Sequence, residues 1–449
     1  MVHNCINNIE NEFNVEGIKV NGNSCWPLFR NKFFELIRSK KLNVKSRINQ
    51  VGFTNFFKLL WLSKYGIKFL LFPKKVDFLI FSATERRKEL NGQYHDRVVE
   101  GIHSMSKSLL IENPFPAISH IPKRKLPNKN VLSESALYFL AKVFSIGARY
   151  ELKGEETLNA IKDKYDIQLS TGSIIKRYLG QKKVGRLLVT LFRPKAVFFV
   201  YSASSQGYIN AFKEASIPVI ELQHGVINKE HIVYNNQISL NRNMLPDYLL
   251  TYGEYELQLF DEKNYFVDSS KVFPIGNYLI DYYRERIGKK ERKKQLVFSG
   301  QSIFDKKSIP WLIEIARALS EWEIVVVPRQ GSDMCALETA KNIYVERKKS
   351  IYEVITESNL HCTVNSSSCI DALALGIPTI FLNVDNQARN YYENVSKFYS
   401  FADNPSEAIR LLESFNPVPE SEVIKESKYF VVNDYYKNID SFLKNRLNI

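Results

Sequence analysis

The chain has 449 residues, 45% of them apolar and 24% charged, which excludes collagen-like and globally disordered polymers and suggests two domains of roughly 150–250 residues. Lys and Arg exceed Asp and Glu by 62 to 48, yet residues 1–75 alone carry 13 basic and four acidic side chains, +9 of the net +14. A nucleic-acid-coating protein spreads its surplus through its binding domain, so this bias argues against nucleic acid as the partner. Five cysteines (Cys5, Cys25, Cys335, Cys362, Cys369) form no CxxC pair and no metal-ligand spacing, the usage of a reduced, cytosolic protein. The polar stretch Met1–Glu16 has no apolar core, so no signal peptide is expected there.

Residues 1–75 read as a basic, aromatic helical segment. Within it, Phe53–Phe72 is rich in Phe, Leu and Trp but interrupted by Lys58, Lys64 and Lys68. Each lysine would cost about 2.5–3.5 kcal/mol at mid-membrane, so spanning is not expected. The lysines fall on one third of a helix circumference. Such a helix either lies on an anionic cytoplasmic leaflet or packs on its own domain.

Residues 76–280 read as a first Rossmann-like domain. Val76–Phe81, Leu109–Ile111, Ala196–Tyr201 and Val219–Leu222 are short runs apolar on both faces, separated by helix-period segments, the signature of buried parallel strands in βαβ units. Glu85-Arg86-Arg87 and His95-Asp96-Arg97 follow the first run, and Gln223-His224-Gly225 closes the last. The segment 277–294, ending in the charged run Lys289–Lys294, reads as a hinge.

Residues 290–425 read as a second such domain, with 426–449 as a C-terminal helix. Leu296–Phe298 leads into Ser299-Gly300-Gln301, then a helix with Ser308 as N-cap and Pro310 in its first turn. Strand Ile324–Val327 ends at Pro328-Arg329-Gln330-Gly331. Ile351–Glu357 is helical, Leu360–Val364 is a strand, and Asn365-Ser366-Ser367-Ser368 precedes helix Cys369–Leu375 and strand Thr379–Leu382. Asn404 to Glu407 has capping-box spacing. The fold class is thus α/β, with two doubly wound domains facing across a cleft. Open sheets of this kind bind ligands beyond the carboxyl ends of their strands.

The segment Val364–Ile380 places hydroxyls and free amides where a helix starts, which suits either a phosphate or simple N-capping. Asp371 lies one turn in. This stretch resembles the late C-terminal-domain motif of GT-B glycosyltransferases, and Gln223-His224-Gly225 looks like a motif of bacterial surface polysaccharide (capsule or O-antigen) proteins. The GT-B resemblance extends to Val272–Asn277 and Ser299–Gln301, and covers roughly 270–415. It implies a nucleotide-sugar donor held by Ser299, Gly300, Gln301, Arg329, Asn365, Ser366, Ser367, Ser368 and Asp371. It also implies a carbohydrate or lipid-linked acceptor on the first domain and an enzyme peripheral to the inner face of the membrane. Asp371 stands where most such enzymes have Glu, and Pro-Arg replaces the His-Pro of similar sialyl- and Kdo-transferases. An inverting transferase needs one base, for which His224, Asp96, His95 and Glu85 are candidates. No DxD-like acidic pair and no metal-ligand cluster is seen, so no metal or other cofactor is expected. Absence of GxxxxGK[ST], GxGxxG and GxSxG motifs argues against P-loop, dinucleotide and α/β-hydrolase readings. The same scaffold also suits a nucleotide-sugar 2-epimerase or a non-catalytic scaffold of a polysaccharide assembly complex.

Overall fold

In a computed structural model, residues 4–41, 53–115, 119–228, 231–259, 266–286, 293–329, 332–393 and 395–449 are described. Two all-parallel sheets dominate. The first contains β1 (Phe78–Ala83), β2 (Ser108–Asn113), β3 (Val131–Ser133), β4 (Ala196–Phe199), β5 (Val219–Leu222), β6 (Tyr248–Thr251) and β7 (Val272–Pro274). Their order across the sheet is β3-β2-β1-β4-β5-β6-β7. The second contains β8 (Lys293–Ser299), β9 (Glu323–Val327), β10 (Ile343–Val345), β11 (Ser358–Thr363), β12 (Thr379–Leu382) and β13 (Tyr399–Ala402), ordered β10-β9-β8-β11-β12-β13. Both follow the doubly wound pattern, in which the winding direction reverses beside the first strand. The runs apolar on both faces are the central strands: β4, β5 and β12 are buried along their whole length. Between β1 and β4, Phe81 stacks on Phe199 at 4.4 Å.

The amino-terminal segment is not an appendage. Helix Trp26–Lys41 buries Trp26, Phe29 and Phe33 in one core with Ile175, Tyr178, Leu249, Phe266 and Val272 of the first domain. Lys19–Val20 also pairs antiparallel with Leu152–Lys153. The Phe53–Phe72 stretch, expected as one helix, divides into helices Phe53–Leu62 and Lys68–Leu71. The break is at Gly66, whose φ is +78° and whose missing Cβ would stand 2.1 Å from the Val131 carbonyl oxygen. Backbone contact that close, at a left-handed φ, admits only glycine. Among the described residues no helix is long and apolar enough to cross a membrane.

The hinge region holds helix Tyr278–Arg284, capped by the Asn277 side chain on the Leu279 amide; of the run Lys289–Lys294, residues 289–292 lie outside the described residues. The helix after β8 starts at Asp305, so Pro310 sits inside it and Ser308 Oγ bonds back to the Phe304 carbonyl instead of capping. The complete capping box is at Ser350 and Glu353, whereas Asn404 caps the Glu407 amide while Glu407 reaches the Asp403 amide. Two helices, not one, end the chain. Glu420–Ser427 lies on the second domain; Tyr435–Leu447 returns to the first, where Phe442 packs on Tyr248 and Phe273.

Candidate functional site

The carboxyl ends of both sheets open on the gap between the domains. In the second, the reversal point lies between β8, ending at Ser299, and β11, ending at Thr363. Ser299 is buried and its hydroxyl bonds His361 Nε2 at 2.8 Å; the same nitrogen lies 3.1 Å from Ser368 Oγ, and Nδ1 lies 3.0 Å from Thr379 Oγ1. Burial pushes the His361 pKa down to about 3, so this imidazole is a neutral strut tying two strands to the helix Ser368–Ala374. Ser366 is buried too, its hydroxyl accepting the Ser368 amide at 3.4 Å. The structure therefore turns Ser299, Ser366 and Ser368 inward and brings Asn365 and Ser367 to the cleft. Gln301 fixes Asn365 by a double bond of amides, donating to Oδ1 at 2.6 Å and accepting the Asn365 N–H at 2.9 Å. Gly300 lets this loop approach β9: a Cβ there would stand 3.3 Å from Pro328 Cα and the Val327 oxygen.

Across the gap, the Gln-His-Gly turn after β5 shows a division of labour. Gln223 uses its whole amide internally, accepting the Tyr252 N–H at 2.6 Å and donating to the Gly225 carbonyl and to Glu256 Oε1. Gly225 faces open space, with no atom within 4 Å of the Cβ it lacks. His224 lies edge-on to Tyr201, with ring centroids 6.0 Å apart. Burial, then the charges of Arg86 and Arg97, hold its pKa well below the ordinary value, so it is neutral; a backbone bond at Val200 holds the ring, while Nδ1 has no partner among the described residues. A neutral imidazole with a vacant nitrogen can accept a proton.

Glu256 behind this turn is buried, and burial raises its pKa to about 8, opposed by the Gln223 bond. A carboxyl raised in the fold contributes stability that is fully present below its unfolded value near 4.3 and lost as pH climbs through about 8. Glu256→Gln removes this dependence. Relative to their difference at pH 5, the variant should gain ~4 kcal/mol over wild type at pH 8.5, read from urea midpoints. A difference that does not change with pH would refute the assignment.

Cations gather where the two domains meet. Arg86, Lys88 and Arg97 come from the hairpin Arg87–Asp96 and its flanks, and Arg329 comes from the end of β9. Lys88 and Arg329 keep access to solvent within protein walls. Burial first, then Arg97 and Arg329, lower the Lys88 pKa; burial and Arg97 likewise lower those of Arg86 and Arg329. Arg97 is the pivot. Its Nη2 donates to the His224 carbonyl at 2.8 Å. Burial opposes its charge, but Tyr252, Tyr352 and Asp371 outweigh that and keep it protonated. Burial raises Asp371 to about 6 while Arg97 pulls it down, so this acid faces a first-domain guanidinium. Glu85 is exposed among these cations. Gln330 and Gly331 lie outside the described residues.

Beside them is a cavity of about 430 Å³, walled by Asn365, Ser367, Tyr391 and Tyr392 of the second domain and by Tyr201, Val226 and His231 of the first. Its third wall was not foreseen: Asn31, Phe34, Glu35 and Arg38, one stripe of helix Trp26–Lys41. Spacing of three, four and seven marks that stripe in the sequence, but its mixed polarity gave no sign of a cleft wall. Two base candidates lie elsewhere. Asp96 is fully buried, accepting the Ser82 hydroxyl at 2.5 Å and the Val98 and Val99 amides, as in an Asx turn. His95 faces a different cavity on the outer side of the hairpin. Among the described residues, no group of three His, Cys, Asp or Glu is placed to hold a metal ion.

Two doubly wound domains meeting in this way form the GT-B arrangement that the sequence resemblance implies. No protein-family model and no curated protein matches the chain by sequence. Solved structures match in fold. One is the UDP-GlcNAc 2-epimerase of Neisseria meningitidis bound to UDP-GlcNAc, with TM-score 0.50 and 12% identity over 83% of this chain and 100% of that one. Another is CalG4, the calicheamicin glycosyltransferase, with TM-score 0.50 and 11% identity over 82% of this chain and 98% of that one.

Proposed function

We propose that the protein is a glycosyltransferase that moves a sugar from a nucleotide-sugar donor to a carbohydrate or lipid-linked acceptor in bacterial surface polysaccharide synthesis. The observation that carries this reading is the convergence of Arg86, Lys88, Arg97 and Arg329 on one cleft beside a cavity of about 430 Å³. Arg86, Lys88 and Arg329, whose pKa values burial and the neighbouring Arg97 lower, are a cost the fold bears without a ligand. A diphosphate would relieve it, and the cations would then offset the negative charge that develops on the nucleotide diphosphate as it leaves. Ser367 and Asn365 supply neutral donors from the opposite wall. In this scheme His224, whose Nδ1 is buried and has no partner among the described residues, would take the acceptor proton, and Glu85 is the second candidate. No metal takes part in this scheme.

The test is transfer assayed with UDP-, GDP-, dTDP- and CMP-sugars, together with calorimetric titration of the free nucleotides. Arg329→Ala should weaken the productive nucleotide about tenfold to a hundredfold, the worth of one charge-assisted hydrogen bond. If no nucleotide binds, or the variant binds as well as wild type, the reading fails. The second reading, a nucleotide-sugar 2-epimerase, is favoured by the epimerase among the fold neighbours. Acceptor dependence separates the two, since an epimerase turns over its donor alone.

The reading includes a place at the inner face of the membrane. Phe57, Trp61, Leu71 and Phe72 are 54–75% exposed, and residues 53–76 contain several lysines and no Asp or Glu. Aromatic side chains with a purely cationic rim suit an anionic leaflet. Sedimentation with vesicles should retain the protein on phosphatidylglycerol but not on phosphatidylcholine alone. Trp61→Ala with Phe72→Ala should release it; equal sedimentation with both lipids would count against this placement.

A further inference from the structure

On the outer side of the hairpin Arg87–Asp96 lies a second cavity, of about 800 Å³, sharing no wall residue with the first. It is built where the hairpin, the helix Tyr278–Arg284 and the start of the C-terminal helix come together. Its chemistry is tyrosine and carboxylate: Tyr278, Tyr282 and Tyr436 stand with Glu100, Asp281 and Asp434. Glu100 is the informative member. Its side chain is only 4% exposed, and Oε2 is satisfied by the Asp96 amide at 3.0 Å and by Arg87 at 3.5 Å. Oε1 has no hydrogen-bond partner among the described residues, and burial lifts the Glu100 pKa to about 7. A buried carboxylate oxygen left unbonded is costly, and a ligand hydroxyl or amine would satisfy it.

Aromatic faces cover the C–H face of a sugar ring, while carboxylates and amides bond its hydroxyls. Only two of its described wall residues, Leu90 and Pro127, are aliphatic, a short lining for an acyl chain. Four wall carboxylates, Glu100, Asp281, Glu285 and Asp434, outnumber the two basic side chains Arg284 and Lys437, and Arg284 is spent on the Ala374 carbonyl and on Asn433, so a phosphate or acidic sugar is disfavoured. The position is equally telling. Lys88 and His95 are register partners and so share one face of the hairpin. His95 lines this cavity, while Lys88 faces Arg97 and Arg329 in the cleft. One hairpin face thus runs from the cation cluster to the second cavity.

We propose that this cavity binds a neutral or amino-substituted glycan chain, and that the chain is the acceptor; the latter clause rests on the transferase reading above. The test uses the full-length protein on an array of immobilised neutral, amino-bearing and acidic oligosaccharides. The best glycan is then titrated into wild type, Glu100→Gln and Tyr436→Ala, with UDP titrated into the same three proteins. Tyr436 is half exposed, so its loss leaves the fold intact. Retention of a neutral or amino glycan is expected, with affinity at least tenfold weaker in both variants and UDP affinity unchanged. No retention, retention of acidic glycans alone, or equal binding by all three proteins overturns the proposal. UDP binding without glycan retention removes this site only. Glycan retention without UDP binding removes the transferase reading and leaves the cavity a glycan site.

Discussion

Arg30→Ala should lower the unfolding free energy by about 3–5 kcal/mol, the range for breaking a buried ion pair from one side. The Glu10 side chain is 0% exposed and that of Arg30 is 3% exposed. Glu10 Oε1 accepts Arg30 Nε at 2.5 Å and Trp26 Nε1 at 2.8 Å, and its Oε2 accepts the Gln237 amide at 3.1 Å. The rest of the guanidinium donates to the carbonyls of Ile232 and Asn235. Alanine at position 30 leaves a buried carboxylate without its cation and two carbonyls without donors. The same change reaches the cleft, because Ile232 and its neighbours His231 and Val233 form part of its cavity wall. Urea denaturation reads the stability, and nucleotide titration of the folded fraction reads the wall. The double variant Glu10→Met, Arg30→Met removes both charges and should be less destabilised than Arg30→Ala. If the single change costs under 1 kcal/mol, the pair is not the clasp described here.

How much of this could be read from the residues differs between fold and site. Strands buried on both faces announce themselves, so β4, β5 and β12 fall within a residue or two of the apolar runs. Strands β3, β10 and β13 escaped because they are short and lie at sheet edges, where polar residues such as Ser133, Tyr344 and Ser400 are tolerated, and the interior strand β6 escaped as well, its four residues Tyr248–Thr251 including only two aliphatic side chains. Strand β7 was seen only as a lead-in to the hinge; pairing with β6 makes it the sheet edge. Ser299, Ser366 and Ser368 show why a hydroxyl-rich loop is ambiguous: Ser299 and Ser368 turn toward His361, a polar residue inside a strand that needs partners once buried, and Ser366 turns in on the Ser368 amide. Asp96 is similar. Its place just before Val98-Val99 is a turn signal: Oδ1 accepts both of those amides and Oδ2 accepts the Ser82 hydroxyl. The meeting of Arg97 with Asp371 joins distant segments through the tertiary fold alone, and no local pattern encodes it.

That meeting makes Arg97→Ala the most damaging change expected in the cleft. Three links depend on this guanidinium: the His224 carbonyl at 2.8 Å, the Tyr352 hydroxyl, and the charge of Asp371. His224 belongs to the first domain, Tyr352 and Asp371 to the second. Its loss deletes a cation from the proposed diphosphate site, frees the turn that presents His224, and strands Asp371, which burial already holds near a pKa of about 6. Without Arg97 that acid should titrate still higher and be neutral at physiological pH. Two charge-assisted contacts, at about 1.5–3 kcal/mol each, bring the expected loss of UDP affinity to at least a hundredfold. Arg97→Lys should fall between, keeping the charge but not the planar fork that serves two walls at once. Asp371→Asn supplies the control. Combined with Arg97→Ala it should cost less than the two single effects summed, because one removed partner cannot be lost twice. Calorimetry with UDP on all four proteins at pH 7.5 measures this directly. Strict additivity, or unchanged UDP affinity in Arg97→Ala, would mean that the cation cluster serves the domain interface and not a ligand.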